Sequence, residues 1–137
     1  MGADAIGANL VYMTREDQVF TMKGGETYKQ AVRRVVEMTH RALEAAGLEL
    51  EDIDLFVYHQ ANSRILSAVG QRLQLPAERV VNAVARTGNT NAASIPLALV
   101  AAEQSGRLRE GTRVLMGAIG AGFTFGGCVV EWGHNGE

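Results

Sequence analysis

His59 and Asn89 are the residues of this chain whose types and positions best suit chemistry. His59 lies in Tyr58-His59-Gln60-Ala61-Asn62, and Asn89 lies in Gly88-Asn89-Thr90. Each segment follows a strand-like run and precedes a helix-like run, the position at which open α/β sheets bind ligands and perform chemistry. An imidazole N–H and a carboxamide N–H brought together there would offer two hydrogen-bond donors to one developing oxyanion.

Both residues also have a structural interpretation. A lone His at a strand end often only makes a structural hydrogen bond, and Gly88-Asn89 is common turn chemistry. Gln60 and Asn62 favour a functional site, because they interrupt an apolar region just before a helix begins. No Cys, Ser or Lys stands beside His59 or Asn89 in a recognisable nucleophile setting, so the pair predicts half of an active site.

The apolar pattern predicts strands that alternate with helices. We expect helices over 26–46, 62–73 and 91–104, strands over 53–58, 80–84, 112–119 and 123–132, and a β-hairpin or a strand plus loop over 4–22. This order predicts an α/β fold with a mixed, mostly parallel sheet and packed helices. The last two strands are close enough to be antiparallel. The loops with His59, Asn89 and residues 120–122 are expected at one sheet edge.

The composition indicates one folded domain. The chain has 137 residues, of which 47% are hydrophobic and 20% are charged, and its net charge of −2 gives no general signal for a nucleic acid or membrane partner. No apolar run approaches the ~20 residues of a membrane helix, and the N-terminus lacks a signal-peptide layout. The single Cys128 excludes an internal disulfide and is expected to be a buried core thiol. These features predict a cytoplasmic protein.

Neither a metal nor a cofactor is expected. The three His residues, of which His134 is assigned to a polar tail, have no metal-ligand spacing. The glycine-rich segment 117–123 lacks the Lys-Ser/Thr of a phosphate loop, and no predicted helix follows it. A sharp turn with inward-pointing N–H groups fits that segment better.

Three motifs together resemble β-ketoacyl-acyl-carrier-protein synthase III, of the thiolase superfamily. They are His59-Gln60-Ala61-Asn62, Gly88-Asn89-Thr90 and Gly120-Ala121-Gly122-Phe123-Thr124-Phe125-Gly126, and Met22-Lys23-Gly24-Gly25-Glu26-Thr27-Tyr28-Lys29 extends the resemblance over nearly the whole chain. That family uses a Cys-His-Asn catalytic set, and its Cys belongs to an N-terminal half with no counterpart here. The resemblance implies that residues 1–137 are the C-terminal domain of a thiolase-like fold, with the N-terminal Cys-bearing half absent.

The resemblance also implies a reaction and residue roles. The family is an acyltransferase that performs a decarboxylative Claisen condensation of acyl-CoA with malonyl-acyl-carrier protein in fatty acid biosynthesis. His59 and Asn89 would bind the thioester oxygen as enolate charge develops. The backbone N–H of Ala121, where the family commonly has Gly, would contribute to a second oxyanion hole. By the same resemblance Gly24, Ala61 and Asn62 line the pantetheine channel, and Lys29, Arg64 and Arg72 bind the acidic carrier protein.

The partners follow from the same resemblance. The isolated chain is expected to be inactive, to require the N-terminal Cys-bearing half, and to form a homo-oligomer, with no nucleic acid or membrane partner. Two alternatives stay open. One is a non-catalytic partner or carrier-protein-binding module, and the other is a related polyketide-type condensing enzyme.

Overall fold

The computed structural model describes residues 1–3, 5–16 and 18–133, so the predicted tail with His134 lies outside the described residues. The helices and strands are β1 (Gly2–Ala3), β2 (Val11–Met13), β3 (Phe20–Met22), α1 (Gly24–Ala46), β4 (Leu55–Tyr58), α2 (Ser63–Arg72), α3 (Val84–Thr87), α4 (Ser94–Gln104), β5 (Arg113–Gly120) and β6 (Thr124–Glu131). Short 3-10 turns also occur at Ala5–Asn9, Leu50–Asp52, Ala77–Arg79 and Asn91–Ala93.

Within the described part of the chain, four strands form the main sheet, in the order β1-β6-β5-β4. β4 and β5 are parallel, with Tyr58 opposite Gly117, whereas β6 pairs antiparallel with both β5 and β1. β2 and β3 form a separate antiparallel hairpin, which confirms the hairpin expected near the N-terminus. The parallel pair places the carboxyl ends of β4 and β5 at the same edge of the sheet.

The α/β architecture with a mixed sheet is confirmed, but parallel pairing does not predominate. Among the described residues it is limited to β4–β5 and one isolated bridge between Phe56 and Val80. The strand predicted over 80–84 is therefore wrong. One ladder-type bond, from the Val81 N–H to Phe56 O, is present. The Gln60 side chain then donates to Val81 O and accepts the Ala83 N–H, and helix α3 begins directly afterwards.

The two faces of β4 pack against different helices. Phe56 and Tyr58 belong to a core with residues of α1 and α2, whereas Leu55 and Val57 belong to a second core with residues of α4. This division follows from the period-two alternation of side chains along a strand. All four residues of β4 are buried, as the apolar run predicts.

The helix boundaries follow local capping chemistry. Asn62 accepts the Arg64 N–H at 2.8 Å and so caps α2, and Gly47 ends α1 with a left-handed φ of 66°. Helix α4 begins three residues later than predicted, because Asn91–Ala93 forms a 3-10 turn. None of the described helices combines the length and apolarity needed to cross a membrane.

The prediction that Cys128 is a core thiol is wrong, because Cys128 is exposed. It lies opposite Met116 in the β5–β6 ladder, and the alternation of β6 puts it on the same face as Val130. Val130 packs with the α4 core, whereas the packing of that core leaves Cys128 uncovered.

Candidate functional site

His59 is the first residue after β4, and its backbone and ring are both held. Its N–H donates to Gly117 O of β5 at 2.8 Å, and its ring Nδ1 lies 2.6 Å from Ser94 Oγ at the start of α4. The side chain is half-buried, and this burial lowers the pKa of His59 below its ordinary value of 6.5. The lowered pKa favours the neutral imidazole, in which one ring nitrogen retains an N–H donor.

Gln60 ties the turn after β4 to the segment that leads to Asn89. Its side chain is fully buried, and all of its amide groups are bonded. Nε2 donates to Tyr58 O at 2.8 Å and to Val81 O at 3.1 Å, while Oε1 accepts the Ala83 N–H at 2.7 Å. One buried carboxamide thus links the two polar segments, in addition to the backbone bond from the Val81 N–H to Phe56 O.

Asn89 lies in an exposed turn. Its Oδ1 accepts the Asn91 N–H at 3.2 Å, which orients the carboxamide, and its Nδ2 has no hydrogen-bond partner among the described residues. Gly88 has φ 68° and ψ −170°, a conformation that side chains with a Cβ rarely adopt. The turn therefore presents an amide donor from a backbone shape that requires glycine.

His59 and Asn89 line one cleft of about 770 Å³. Ala121 lies in the turn between β5 and β6, beside the cis peptide Gly122–Phe123, and it lines the same cleft. The three residues expected in the pantetheine channel also line it: Gly24, Ala61 and Asn62. The structure thus brings together the predicted catalytic, oxyanion and channel residues, which are far apart in sequence.

Apolar residues complete the walls of the cleft. They come from β2, β3, α1, α2 and the β5–β6 region, and include Phe20, Tyr28, Ile65, Ile119 and Phe123. A largely apolar cleft with a few converging polar groups is typical of a small-molecule site. The sequence marked these positions only as apolar, and periodicity does not distinguish a cleft wall from a core position.

The predicted basic residues Lys29, Arg64 and Arg72 are exposed, and none forms an ion pair with another described residue. Lys29 directly follows Tyr28, and Arg64 directly precedes Ile65, both of which line the cleft. Arg72 is eight residues further along α2, about 12 Å along the helix axis. Two of the three cations therefore lie next to cleft residues, and Arg72 lies further away.

Ser94 and the buried bonding of Gln60 are features that the sequence analysis missed. Ser94 is almost fully buried, and its Oγ accepts the Gln60 N–H at 3.3 Å besides contacting the His59 ring. A Ser near a predicted helix start indicates only a cap. Its 35-residue separation from His59 left no local signal for the contact.

Comparisons with known proteins agree with this architecture. The family model of the 3-oxoacyl-[acyl-carrier-protein (ACP)] synthase III C-terminal domain matches residues 43–132. The chain is 44% identical over 132 residues to β-ketoacyl-[acyl-carrier-protein] synthase III 2 of Streptomyces coelicolor, covering 96% of this chain and 40% of that protein.

Solved structures show the same fold. The β-ketoacyl-[acyl carrier protein] synthase III of Thermus thermophilus is 47% identical with a TM-score of 0.89, over 96% of this chain and 44% of that one. The priming β-ketosynthase of the R1128 polyketide pathway is 36% identical with a TM-score of 0.85, over 95% of this chain and 42% of that one. The chain thus spans about two fifths of the length of such relatives.

Proposed function

Because the chain belongs to the family of 3-oxoacyl-[acyl-carrier-protein] synthase III C-terminal domains, we propose that it supplies the His and Asn of a Cys-His-Asn condensing site. Residues 1–137 are then the C-terminal domain of a thiolase-fold acyltransferase whose N-terminal half supplies the Cys. The observation that supports this role best is the shared cleft of His59 and Asn89, each with a polar side chain able to donate an N–H.

The reaction has two stages. A Cys thiolate of the N-terminal half takes the acyl group from acyl-CoA and releases the CoA thiol. Malonyl-acyl-carrier protein then loses CO₂, and the resulting enolate carbon attacks the acyl-Cys carbonyl, which releases the thiolate and yields β-ketoacyl-acyl-carrier protein. Fatty acid biosynthesis is the process that this product serves.

His59 and Asn89 act in the second stage. Their N–H groups donate to the malonyl thioester oxygen, and these bonds strengthen as CO₂ leaves and the oxygen gains enolate charge. Both donors are neutral, so no proton has to be lost or gained before the step. The backbone N–H of Ala121 contributes to a second oxyanion hole, which binds the oxygen of the acyl-Cys during attack.

The remaining predicted residues bind the substrates. The cleft residues Gly24, Ala61 and Asn62 receive the pantetheine arm that CoA and the carrier protein share. Lys29 and Arg64 stand next to cleft residues and attract the acidic carrier protein, and Arg72 adds a weaker contact further along α2. Such surface cations mainly affect docking and not the chemical step.

The N-terminal half is expected to cover apolar surface of this chain. Large exposed hydrophobic side chains occur on β2, β3 and their loop and on α4, where Leu97 is 38% and Val100 is 46% exposed. Exposed apolar surface of this kind promotes association. We expect the isolated chain to be inactive and to form a homo-oligomer, which light scattering over a concentration series measures. A monomer at the highest concentration would contradict this expectation.

The catalytic role is tested by reconstituting this chain with a Cys-bearing N-terminal half. His59→Ala and Asn89→Ala should each lower malonyl decarboxylation about 10²–10³-fold. Acyl transfer to the Cys should be largely unchanged, and mass spectrometry of the acyl-Cys measures it. His40→Ala, which removes an exposed imidazole on α1, serves as the matched control. Condensation by either site variant at the wild-type rate would refute the proposed function.

The carrier-protein surface has its own test. Arg64→Ala should raise the KM for the carrier-protein substrate while leaving the acyl-CoA stage unchanged. Arg72→Ala should have a smaller effect, because Arg72 lies further from the cleft. An equal rise in KM for acyl-CoA would show that Arg64 acts on the shared pantetheine arm instead.

A related polyketide-type condensing enzyme is the second candidate. It is favoured by the 36% identity to the priming β-ketosynthase of a polyketide pathway, whose backbone superposes with a TM-score of 0.85. Rates with malonyl groups on a fatty acid carrier protein and on a polyketide carrier protein distinguish the two candidates. A non-catalytic carrier-protein module would bind the carrier protein and condense neither substrate.

A further inference from the structure

We propose that Ser94 is a positioning residue that fixes His59 as the neutral tautomer with its proton on Nε2. The inference rests on the proposed function and deepens it, because it names the residue that aims the N–H of His59 into the cleft. The supporting observation is the 2.6 Å contact between Ser94 Oγ and His59 Nδ1. The same Oγ accepts the backbone N–H of the next residue, Gln60.

The direction of this hydrogen bond follows from the bonds of Ser94. Ser94 is 1% exposed, and its Oγ accepts the Gln60 N–H at 3.3 Å. A serine hydroxyl has one proton to donate. Among the described residues, His59 Nδ1 is the one acceptor within hydrogen-bond distance of that proton. If Nδ1 were protonated and donated instead, the buried hydroxyl proton of Ser94 would be left without an acceptor, which is costly.

With Nδ1 accepting, the neutral ring has its proton on Nε2. This nitrogen makes no hydrogen bond to another described residue, and His59 lines the cleft. The Gln60 N–H donates to one lone pair of Ser94 Oγ, which leaves the hydroxyl proton for His59 Nδ1. The arrangement therefore gives His59 one donor, on the side where a substrate oxygen would bind.

The same arrangement disfavours the imidazolium. Protonation of Nδ1 would make the ring the donor in this bond, and the buried hydroxyl proton of Ser94 would then have no acceptor. Partial burial of the ring, which lowers the pKa of His59, acts in the same direction. The residues that bond the ring and its backbone are Ser94, Gly117 and Ala61, none of which is charged.

The tautomer is measured by ¹⁵N NMR of the chain labelled at its three His residues, alone and together with the N-terminal half. His59→Gln assigns the resonances. The wild-type chain should show a protonated Nε2 and an unprotonated Nδ1 for His59. Ser94→Ala should give a mixture of tautomers and a raised His59 pKa. Ser94→Thr, which keeps the hydroxyl, should restore the single tautomer.

Ser67→Ala, which removes an exposed hydroxyl on α2, is the control and should change neither signal. A protonated Nδ1 in the wild-type chain, which needs no variant to fold, would overturn the proposal. An unchanged single tautomer in Ser94→Ala would overturn it as well.

A kinetic measurement separates this inference from the proposed function. In the reconstituted enzyme, Ser94→Ala should lower the kcat of malonyl decarboxylation about fivefold to tenfold with little change in KM, and Ser94→Thr should recover most of it. If His59→Ala leaves decarboxylation intact, the proposed function fails. If His59→Ala abolishes decarboxylation while Ser94→Ala leaves both the rate and the tautomer unchanged, the role of Ser94 fails and the proposed function stands.

Discussion

His59 and Asn89 line the same cleft, yet their surroundings differ. His59 is half-buried and is held through its backbone by Gly117 and through its ring by Ser94. Asn89 is exposed, and one hydrogen bond to the Asn91 N–H orients its side chain. The difference shows that the orientation of His59 depends on residues far away in sequence, whereas that of Asn89 depends on its own turn. Substitutions around the two residues should therefore lower the free energy of unfolding by different amounts.

The largest effect is expected from Gln60→Leu. The substitution removes the buried carboxamide and leaves Tyr58 O, Val81 O and the Ala83 N–H without their partner. Three unpaired buried groups should lower the free energy of unfolding by about 3–5 kcal/mol. Urea denaturation measures the loss. Gln71→Leu, at an exposed position of α2, is the control and should change stability by less than about 0.5 kcal/mol. Equal losses for the two variants would show that the buried bonds of Gln60 contribute nothing.

In the turn that contains Asn89, the backbone conformation of Gly88 should contribute more to stability than the side chain of Asn89. Gly88→Ala places a Cβ at φ 68° and ψ −170°, which should lower the free energy of unfolding by about 1–3 kcal/mol. Open space surrounds this glycine, so the cost arises from the backbone conformation and not from a clash. Gly25→Ala, in open space within α1, is the control and should leave stability equal or slightly higher. A neutral Gly88→Ala would mean that the turn relaxes to another conformation.

Asn89→Ala should affect stability much less than Gln60→Leu or Gly88→Ala. The side chain is exposed and makes one hydrogen bond, so the free energy of unfolding should fall by less than about 0.5 kcal/mol. Decarboxylation in the reconstituted enzyme should nevertheless fall about 10²–10³-fold. A stability loss as large as that of Gln60→Leu would assign Asn89 a structural role, contrary to the comparison.

The smallest effect concerns pH. Burial lowers the pKa of His59 below 6.5, so between the lowered pKa and 6.5 the unfolded chain binds more protons than the folded chain. The contribution of His59 to stability is complete above about pH 6.5 and declines as the pH falls through the lowered pKa. Urea denaturation of the wild-type chain and of His59→Gln across this range isolates the effect, because the other two His residues are present in both. A constant difference between them would show that the pKa is not lowered.

The sequence predicted the long helix, the capped α2 and the buried β4 because each depends on local patterns. The apolar stripe of α1 and the left-handed Gly47 mark one helix, and Asn62 marks the start of another. The strand expected over 80–84 is wrong because, after a single bond to β4, Val81 O and the Ala83 N–H bond to the side chain of Gln60, which lies more than twenty positions away in sequence. Cys128 was misplaced because an apolar strand pattern does not show which face a helix leaves uncovered.

The candidate site was predictable to a similar degree. His59 and Ala121 lie where a strand end and the glycine turn indicate, whereas Asn89 follows helix α3 and not the expected strand. The structure nevertheless places all three in one cleft. Ser94 was not predictable as a partner of His59, since nothing in a 35-residue separation reveals which turn of α4 faces the ring. Helix periodicity predicts that the basic residues are exposed. It does not predict how far each lies from the cleft, because that distance depends on how α1 and α2 pack together.

Helix α4 connects the ring of His59 with the outer surface of the chain. Its first residue, Ser94, contacts the ring of His59, and it presents Leu97 and Val100 to the exterior within the next two turns. A displacement of the helix by about 1 Å along that contact would lengthen the 2.6 Å bond beyond hydrogen-bonding range. The contact that positions the imidazole and the exposed apolar face of α4 thus belong to one short helix.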